Sequence, residues 1–136
     1  TLFQSDYETT VSLARAKANA VYYPGGLIVG SLPDLLPNGQ IIAAQAADGM
    51  LRVDGVRMSI YVFQMAGDMV GISARSTGEM NVQVIMEAFG GGGHANVAGA
   101  QVKGVPLSAV RARVVERARA YIEESDQSEG NTADGH

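Results

Sequence analysis

Hydrophobic positions recur with a helical period in some stretches of the chain and follow a strand-like pattern in others. Residues 5–8 have the S-x-x-E spacing of a capping box, which predicts an Ala-rich helix that continues to about Asn19. Two short apolar runs within residues 21–29 are separated by Pro-Gly-Gly, a pattern typical of strand, tight turn and strand. Apolar residues on successive turns predict a second helix over residues 41–52. The first half of the chain is therefore predicted to be helix, strand, strand and helix.

The second half begins with two apolar runs, residues 56–65 and 69–73, which Gly-Asp joins into a predicted hairpin. Asn81 is a candidate N-cap for a short third helix, and residues 101–103 follow as a predicted strand. Ser108 is a candidate N-cap for a last, amphipathic helix. The full order, α-β-β-α-β-β-α-β-α, predicts an α/β fold. Its helices pack on the faces of a five-stranded, mixed and largely antiparallel sheet.

The composition is typical of one small globular domain and excludes several classes of protein. The chain has 136 residues, of which 46% are hydrophobic, enough to bury a core. No apolar stretch approaches the roughly 20 residues that a membrane span needs, and no signal peptide is expected. The chain has no Cys, which excludes a disulfide scaffold, a thiolate metal site and a cysteine nucleophile. We therefore expect a cytoplasmic domain.

The charge is unevenly distributed along the chain. The formal net charge is −4, but residues 123–136 carry five acidic residues and neither Lys nor Arg, so the rest has a net charge of +1. We therefore expect a folded domain over residues 1–122 and a flexible, acidic polar tail over residues 123–136. A nearly neutral body does not indicate a broad surface for duplex DNA.

Four consecutive glycines, residues 90–93, precede His94 at the end of the third predicted helix. One glycine suffices as a helix C-cap. A run of glycines lets backbone N–H groups approach an anion closely, as in phosphate-binding nests. His94 adds a side-chain donor that can also carry charge. The alternative interpretation is a flexible loop with an incidental histidine.

Arg75 and Asn96 are two further candidates for ligand contacts. Arg75 lies at the end of a predicted strand, where its planar guanidinium can bind a phosphate with two parallel hydrogen bonds. The alternative for Arg75 is a surface ion pair with Glu79 or Glu87. Asn96 either hydrogen-bonds a ligand or supports the backbone locally.

The sequence shows no group of residues able to cleave a phosphodiester on its own. Such hydrolysis usually needs metal ions that polarise the phosphoryl group and generate hydroxide. The sequence has no D-x-D, H-x-x-x-H or E-x-x-H cluster, and no Ser-His-acid arrangement is apparent. We therefore assign neither a catalytic residue nor a metal ligand to this chain.

Three sequence blocks in a fixed order resemble the DHH-associated domain, the C-terminal half of the DHH phosphoesterases. The blocks are I-S-A-R-S at residues 72–76, E-M-N-V-Q-V-I-M-E at 79–87, and G-G-G-G-H-A-N-V-A-G-A at 90–100. Together with Ala-Ala-Asp at residues 46–48, they are similar to GdpP-type cyclic-di-AMP phosphodiesterases of Gram-positive bacteria. The resemblance covers about residues 5–122.

The resemblance implies a substrate-binding domain that is inactive without an N-terminal DHH domain, so we expect the chain to be part of a longer protein. In that family the DHH domain binds two manganese ions, and the domain seen here closes over the cleft and grips the nucleotide. Arg75 would bind a substrate phosphate, and His94 would hydrogen-bond a phosphate oxygen near the metals. The further substrate contacts implied are Gly91, Gly92, Gly93, Ser73 and Asn96.

The resemblance also implies properties of the longer protein. It would hydrolyse cyclic di-AMP to linear pApA, and N-terminal helices would anchor it in the cell membrane while this part faces the cytoplasm. A homodimer of the full-length protein is a further expectation. Two alternatives stay open: a related exonuclease, oligoribonuclease or phosphatase, and a non-catalytic RNA-binding module such as alanyl-tRNA synthetases carry. For an RNA-binding role the sequence offers only the arginines of the last helix, which are typical of a solvated helix face.

Overall fold

The computed structural model describes the backbone of residues 2–134 and the side chains of residues 6–130. The helices are α1 (Leu2–Ala18), α2 (Gly39–Met50), α3 (Val82–Glu87) and α4 (Leu107–Asp134). The strands are β1 (Val21–Tyr23), β2 (Leu27–Leu32), β3 (Met58–Gln64), β4 (Met69–Ser76), β5 (Gly92–Gly93) and β6 (Val97–Lys103). In this part of the chain, no helix combines the length and apolar character that a membrane crossing requires.

The strands form one sheet in the order β1-β2-β3-β4-β6-β5. β2 and β3 run parallel, and every other neighbouring pair is antiparallel. The predicted mixed, largely antiparallel sheet with helices on its faces is confirmed, but the predicted number of five strands was wrong. The added strand, β5, consists of two glycines. Sequence patterns indicate strands through β-branched and aromatic side chains, which glycine does not have.

Each face of the sheet has its own hydrophobic core. On β3, Ile60 and Val62 pack toward α3 and α4, whereas Tyr61 and Phe63 pack toward α1 and α2. The buried side of α4 is formed by residues spaced along its length: Val110, Val114, Ala118 and Ile122. This spacing agrees with the apolar face predicted for the last helix, since residues four apart lie on one side of an α-helix.

Two aromatic rings of β3 lie directly over glycines of the neighbouring strands. A Cβ atom at Gly30 would overlap the Tyr61 ring, and one at Gly71 would overlap the Phe63 ring. The Tyr61 hydroxyl donates a hydrogen bond of 2.9 Å to the Ala16 carbonyl of α1. Burial raises the pKa of Tyr61 to about 12, so the hydroxyl keeps its proton. These contacts fix α1 against β3, on the face that also carries α2.

Several element boundaries differ from the predictions. α1 begins at Leu2, so the capping-box residues 5–8 lie inside the helix, and the side chain of Ser5 lies outside the described residues. β6 begins at Val97 instead of residue 101, because pairing with β4 extends through a stretch of small residues with weak strand propensity. α2 runs two residues ahead of its predicted range at both ends.

α4 continues through the acidic stretch to Asp134, where a flexible tail was predicted from residue 123. The Arg57 guanidinium donates to both carboxylate oxygens of Asp126, at 2.7 and 3.1 Å. These hydrogen bonds lower the pKa of the Asp126 carboxyl and raise the pKa of Arg57. Three Glu and one Gln within residues 123–129 favour helix, and Arg57 ties the stretch to the body at Asp126. Its flexibility in solution stays a prediction.

Candidate functional site

An open cleft of about 530 Å³ lies between α2 and the part of the sheet formed by β4 and β6. α2 packs over β3 and β4 on this face. The cleft is lined by Gln40 and Ala44 of α2, Ser73 and Arg75 of β4, Gly90, and Gly99 and Gln101 of β6, among others. Two residues predicted to contact a ligand, Ser73 and Arg75, therefore lie side by side in one concave site.

The strand register explains why this part of the sheet is open to a ligand. Ser73 lies directly opposite Gly99 on β6, and Gly99 lies directly opposite Gly92 on β5. Directly opposite residues of antiparallel strands point to the same face. Beside Ser73, this face of the sheet therefore carries no side chain at Gly99, which lines the cleft, or at Gly92 on the next strand. A ligand can approach the backbone there, within reach of Arg75.

Gly92 and Gly93 of the glycine run form strand β5, and the members of the run differ in how strictly the fold requires glycine. A Cβ atom at Gly91 would overlap the Gly99 carbonyl, and one at Gly93, where φ is +143°, would lie 2.6 Å from the Val97 carbonyl oxygen. At Gly92 a Cβ atom would meet nothing within 4 Å. Packing thus accounts for glycine at 91 and 93 and leaves glycine at 92 without a structural reason. Ligand contacts by these glycines stay a prediction.

His94 lies in the turn between β5 and β6, with its side chain exposed to solvent. Its backbone N–H donates to the Val97 carbonyl at 2.8 Å, and Val97 lies directly opposite Arg75 on β4. The turn is therefore at the same end of the sheet as Arg75. The imidazole has no hydrogen-bond partner among the described residues, which leaves both nitrogens available.

Asn96 makes the hydrogen bonds expected of a residue that supports the backbone locally. Its amide nitrogen donates to Ser76 Oγ at 3.0 Å and to the Met80 carbonyl at 3.1 Å. Ser76 Oγ itself donates to the Met80 carbonyl at 2.7 Å. These bonds join the turn that carries His94 to the loop that follows β4. A ligand contact by Asn96 stays a prediction, for which its amide oxygen is the available atom.

Arg75 does form an ion pair, but its partner is neither of the predicted ones. Its Nε donates to Asp48 Oδ1 of α2 at 2.8 Å, whereas the predicted alternative was an ion pair with Glu79 or Glu87. The Asp48 contact depends on how α2 lies over β4, which no local pattern encodes. One signal was present in the sequence: an acidic residue near the end of a helix, where negative charge opposes the helix dipole.

A cluster of metal-ligating side chains is not found among the described residues. No group of three or more His, Asp or Glu side chains within this part of the chain lies close enough to hold a metal ion. The nearest charged pair to the cleft, Arg75 with Asp48, contains a single carboxylate. A divalent metal in a catalytic site usually takes several oxygen or nitrogen ligands. The cleft therefore does not fit a manganese ion.

Comparisons with known proteins agree with one family. The DHHA1 domain profile matches residues 37–124, a range that includes all the residues that line the cleft. The chain is 36% identical over 118 residues to "Cyclic-di-AMP phosphodiesterase PdeA" of Listeria monocytogenes, covering 87% of this chain and 18% of that protein. The same identity and length are found with "Cyclic-di-AMP phosphodiesterase GdpP" of Bacillus subtilis, covering 85% and 18%. The chain thus spans about a fifth of the length of these relatives.

A solved structure shows the same fold. An exopolyphosphatase-related protein from Bacteroides fragilis matches with a TM-score of 0.70 at 20% sequence identity. The match covers 85% of this chain and 35% of that one. The arrangement of strands and helices described above therefore occurs as one part of a larger protein.

Proposed function

The chain belongs to the DHHA1 domain family, and we propose that it is the substrate-binding domain of a manganese-dependent cyclic-di-AMP phosphodiesterase. In this proposal an N-terminal DHH domain of the same longer protein holds the manganese and is required for activity. The longer protein converts cyclic di-AMP to linear pApA. It is anchored in the cell membrane by N-terminal helices, keeps this domain in the cytoplasm and forms a homodimer.

The observation that carries the proposal is the combination of Arg75 with the two glycines, Gly99 and Gly92, that leave the neighbouring sheet face without side chains. The Nη2 atom of Arg75 has no hydrogen-bond partner among the described residues, although only 14% of the side chain is exposed. A partly buried guanidinium with free N–H groups binds phosphate more strongly than one in open water. Glycine at positions 92 and 99 lets the nucleotide lie close to the sheet. The names of the relatives supply the substrate class.

Each group of this chain has a distinct part in the proposed reaction. Arg75 binds a phosphate of the substrate through its free N–H groups and fixes the orientation of the nucleotide. The backbone at Gly92 and Gly99, with Ser73 on the other side of Gly99, forms the surface against which the nucleotide lies. His94 hydrogen-bonds a phosphoryl oxygen, which gains negative charge as the phosphodiester is attacked. The manganese ions of the DHH domain supply polarisation of the phosphoryl group and the hydroxide.

The test compares the full-length protein with the 136-residue chain, each assayed with cyclic di-AMP and manganese. We expect the full-length protein to release pApA and the isolated chain to release none, because the described residues contain no metal-binding cluster. Manganese-dependent turnover by the isolated chain above that of its His94→Ala variant would contradict the proposal that activity requires the DHH domain. A full-length protein that does not hydrolyse cyclic di-AMP but degrades oligoribonucleotides or single-stranded DNA would support the alternative function, a related exonuclease or oligoribonuclease.

A further inference from the structure

The guanidinium of Arg75 is held at two of its nitrogens. Nε donates to Asp48 Oδ1 at 2.8 Å, and Nη1 donates to the carbonyl of Ala74 at 3.0 Å. Because a guanidinium is planar and rigid, two anchors on different nitrogens fix both its position and its plane. Nη2 is left for a ligand. The direction in which Arg75 presents its free N–H groups is therefore set by these two acceptors.

Asp48 is the one side-chain acceptor for Arg75 among the described residues. The other polar side chain that the register brings next to Arg75 is Ser59, directly opposite on β3. Ser59 is fully buried, and its hydroxyl has no hydrogen-bond partner, so it does not hold the guanidinium. The remaining anchor is a main-chain carbonyl, which no substitution removes. Asp48 is therefore the side chain that sets the orientation of Arg75.

The position of Asp48 in α2 is unfavourable for the helix itself. It lies near the C-terminal end of Gly39–Met50, where the helix dipole disfavours negative charge, and Gly49 follows it. The Asp48 side chain is 53% exposed, and ion pairs with an exposed partner add little to fold stability. The contact of Asp48 with Arg75 is thus better explained by the orientation it gives to the guanidinium than by stabilisation of the fold.

We propose that Asp48 is a positioning residue that orients Arg75 for the substrate phosphate. This inference rests on the proposed function, since it assumes that Arg75 binds a phosphate of a cyclic dinucleotide. Asp48 has two effects that can be separated. Its Oδ1 acceptor orients the guanidinium and favours binding, whereas its negative charge repels the phosphate and opposes binding. Asn keeps an oxygen acceptor without the charge, and Ala keeps neither.

The experiment measures kcat and KM for cyclic di-AMP in the full-length protein with manganese, for Asp48→Ala and Asp48→Asn. For Asp48→Ala we expect KM to rise roughly fivefold with kcat within about twofold of the wild type, because only the orientation of a binding group is lost. For Asp48→Asn we expect KM at or below the wild-type value. In an Arg75→Ala background, Asp48→Ala should change KM no further, since its effect passes through Arg75.

A matched control is Asp126→Ala, which breaks an ion pair outside the cleft lining, Arg57 with Asp126. It should leave KM and kcat unchanged. A decrease of KM in both Asp48 variants would overturn the inference, because Asp48 would then only compete with the substrate for Arg75. An unchanged KM in Asp48→Ala would overturn it as well. In either case a wild-type protein that turns over cyclic di-AMP leaves the proposed function intact, whereas a wild-type protein that does not refutes both.

Discussion

Gly92 and Gly99 lie directly opposite each other on β5 and β6, and neither places a side chain on the sheet face that holds Arg75. A Cβ atom at Gly99 would lie 2.8 Å from the Ile72 carbonyl oxygen, so β4 itself requires glycine there. A Cβ atom at Gly92 would meet open space, and the backbone φ of Gly92 is not positive. Of the two, Gly92 is the position at which ligand approach can be tested without disturbing the fold.

Replacement of Gly92 by Ala should weaken substrate binding while the fold stays intact. We expect an unchanged or slightly higher melting temperature, because Ala reduces the conformational freedom of the unfolded chain. In the full-length protein KM for cyclic di-AMP should rise at least about fivefold, since the added methyl group keeps the phosphate from the backbone. The measurements are thermal unfolding and steady-state kinetics.

Gly93→Ala serves as the contrasting variant, because its Cβ atom would lie 2.6 Å from the Val97 carbonyl oxygen and its φ is +143°. It should lower the melting temperature clearly. If Gly92→Ala leaves KM at the wild-type value, the glycine run contributes to the fold alone, and its place in the binding site is lost.

Substitution of Arg75 should separate charge from hydrogen-bond geometry. Arg75→Ala removes a charge-assisted contact worth about 1.5–3 kcal/mol, and Arg75→Lys keeps the charge but not the planar fork. We expect KM to rise for both variants, and more for Ala than for Lys. Lys also lacks the Nε that Asp48 accepts from, so the ammonium is not held over the cleft. Equal KM values for the wild type and Arg75→Ala would show that Arg75 only pairs with Asp48.

The fold was largely predictable because its elements have strong local signals. Buried β3 carries a continuous apolar run, and Asn81 caps α3 by accepting from the N–H groups of Gln83 and Val84, as its position before an apolar run predicted. β5 was missed because a strand of two glycines exists only through its pairing with β6. The helical acidic stretch was missed because its anchor, Arg57, is far away in sequence.

The candidate site residues could be named one by one from the sequence, but their arrangement could not. Residue types alone indicated Arg75 and the glycines as anion-binding groups. The strand register places Ser73, Gly99 and Gly92 on one face of the sheet. This register depends on long-range strand pairing, which the sequence does not show. The partner of Arg75 is Asp48 of α2, which lies 27 positions earlier in the chain. A contact of that kind follows from helix packing, for which the sequence offers no local pattern.

Asn96 should act on stability more than on binding. Asn96→Ala removes two hydrogen bonds that tie the turn to the loop after β4, those from the amide nitrogen to Ser76 Oγ and to the Met80 carbonyl. We expect the free energy of unfolding to fall by about 1–3 kcal/mol, measured by urea denaturation. Thr77→Ala, in the same loop and exposed, is the control and should change stability little. Full stability in Asn96→Ala would mean that the turn does not depend on this network.

His94 should affect the rate of reaction and not the fold. Its side chain is exposed and makes no hydrogen bond among the described residues, so His94→Ala should change the free energy of unfolding by less than about 0.5 kcal/mol. If the imidazole donates to a phosphoryl oxygen as negative charge develops, its removal should lower kcat by roughly a hundredfold and raise KM much less. His94→Gln, which keeps a side-chain N–H donor, should retain part of that rate. Steady-state kinetics of the full-length protein and thermal unfolding decide between the two interpretations of this turn. Near-normal kcat in His94→Ala would identify His94 as an incidental surface residue, and a loss of kcat with matching loss of stability would assign it to the structure of the β5–β6 turn.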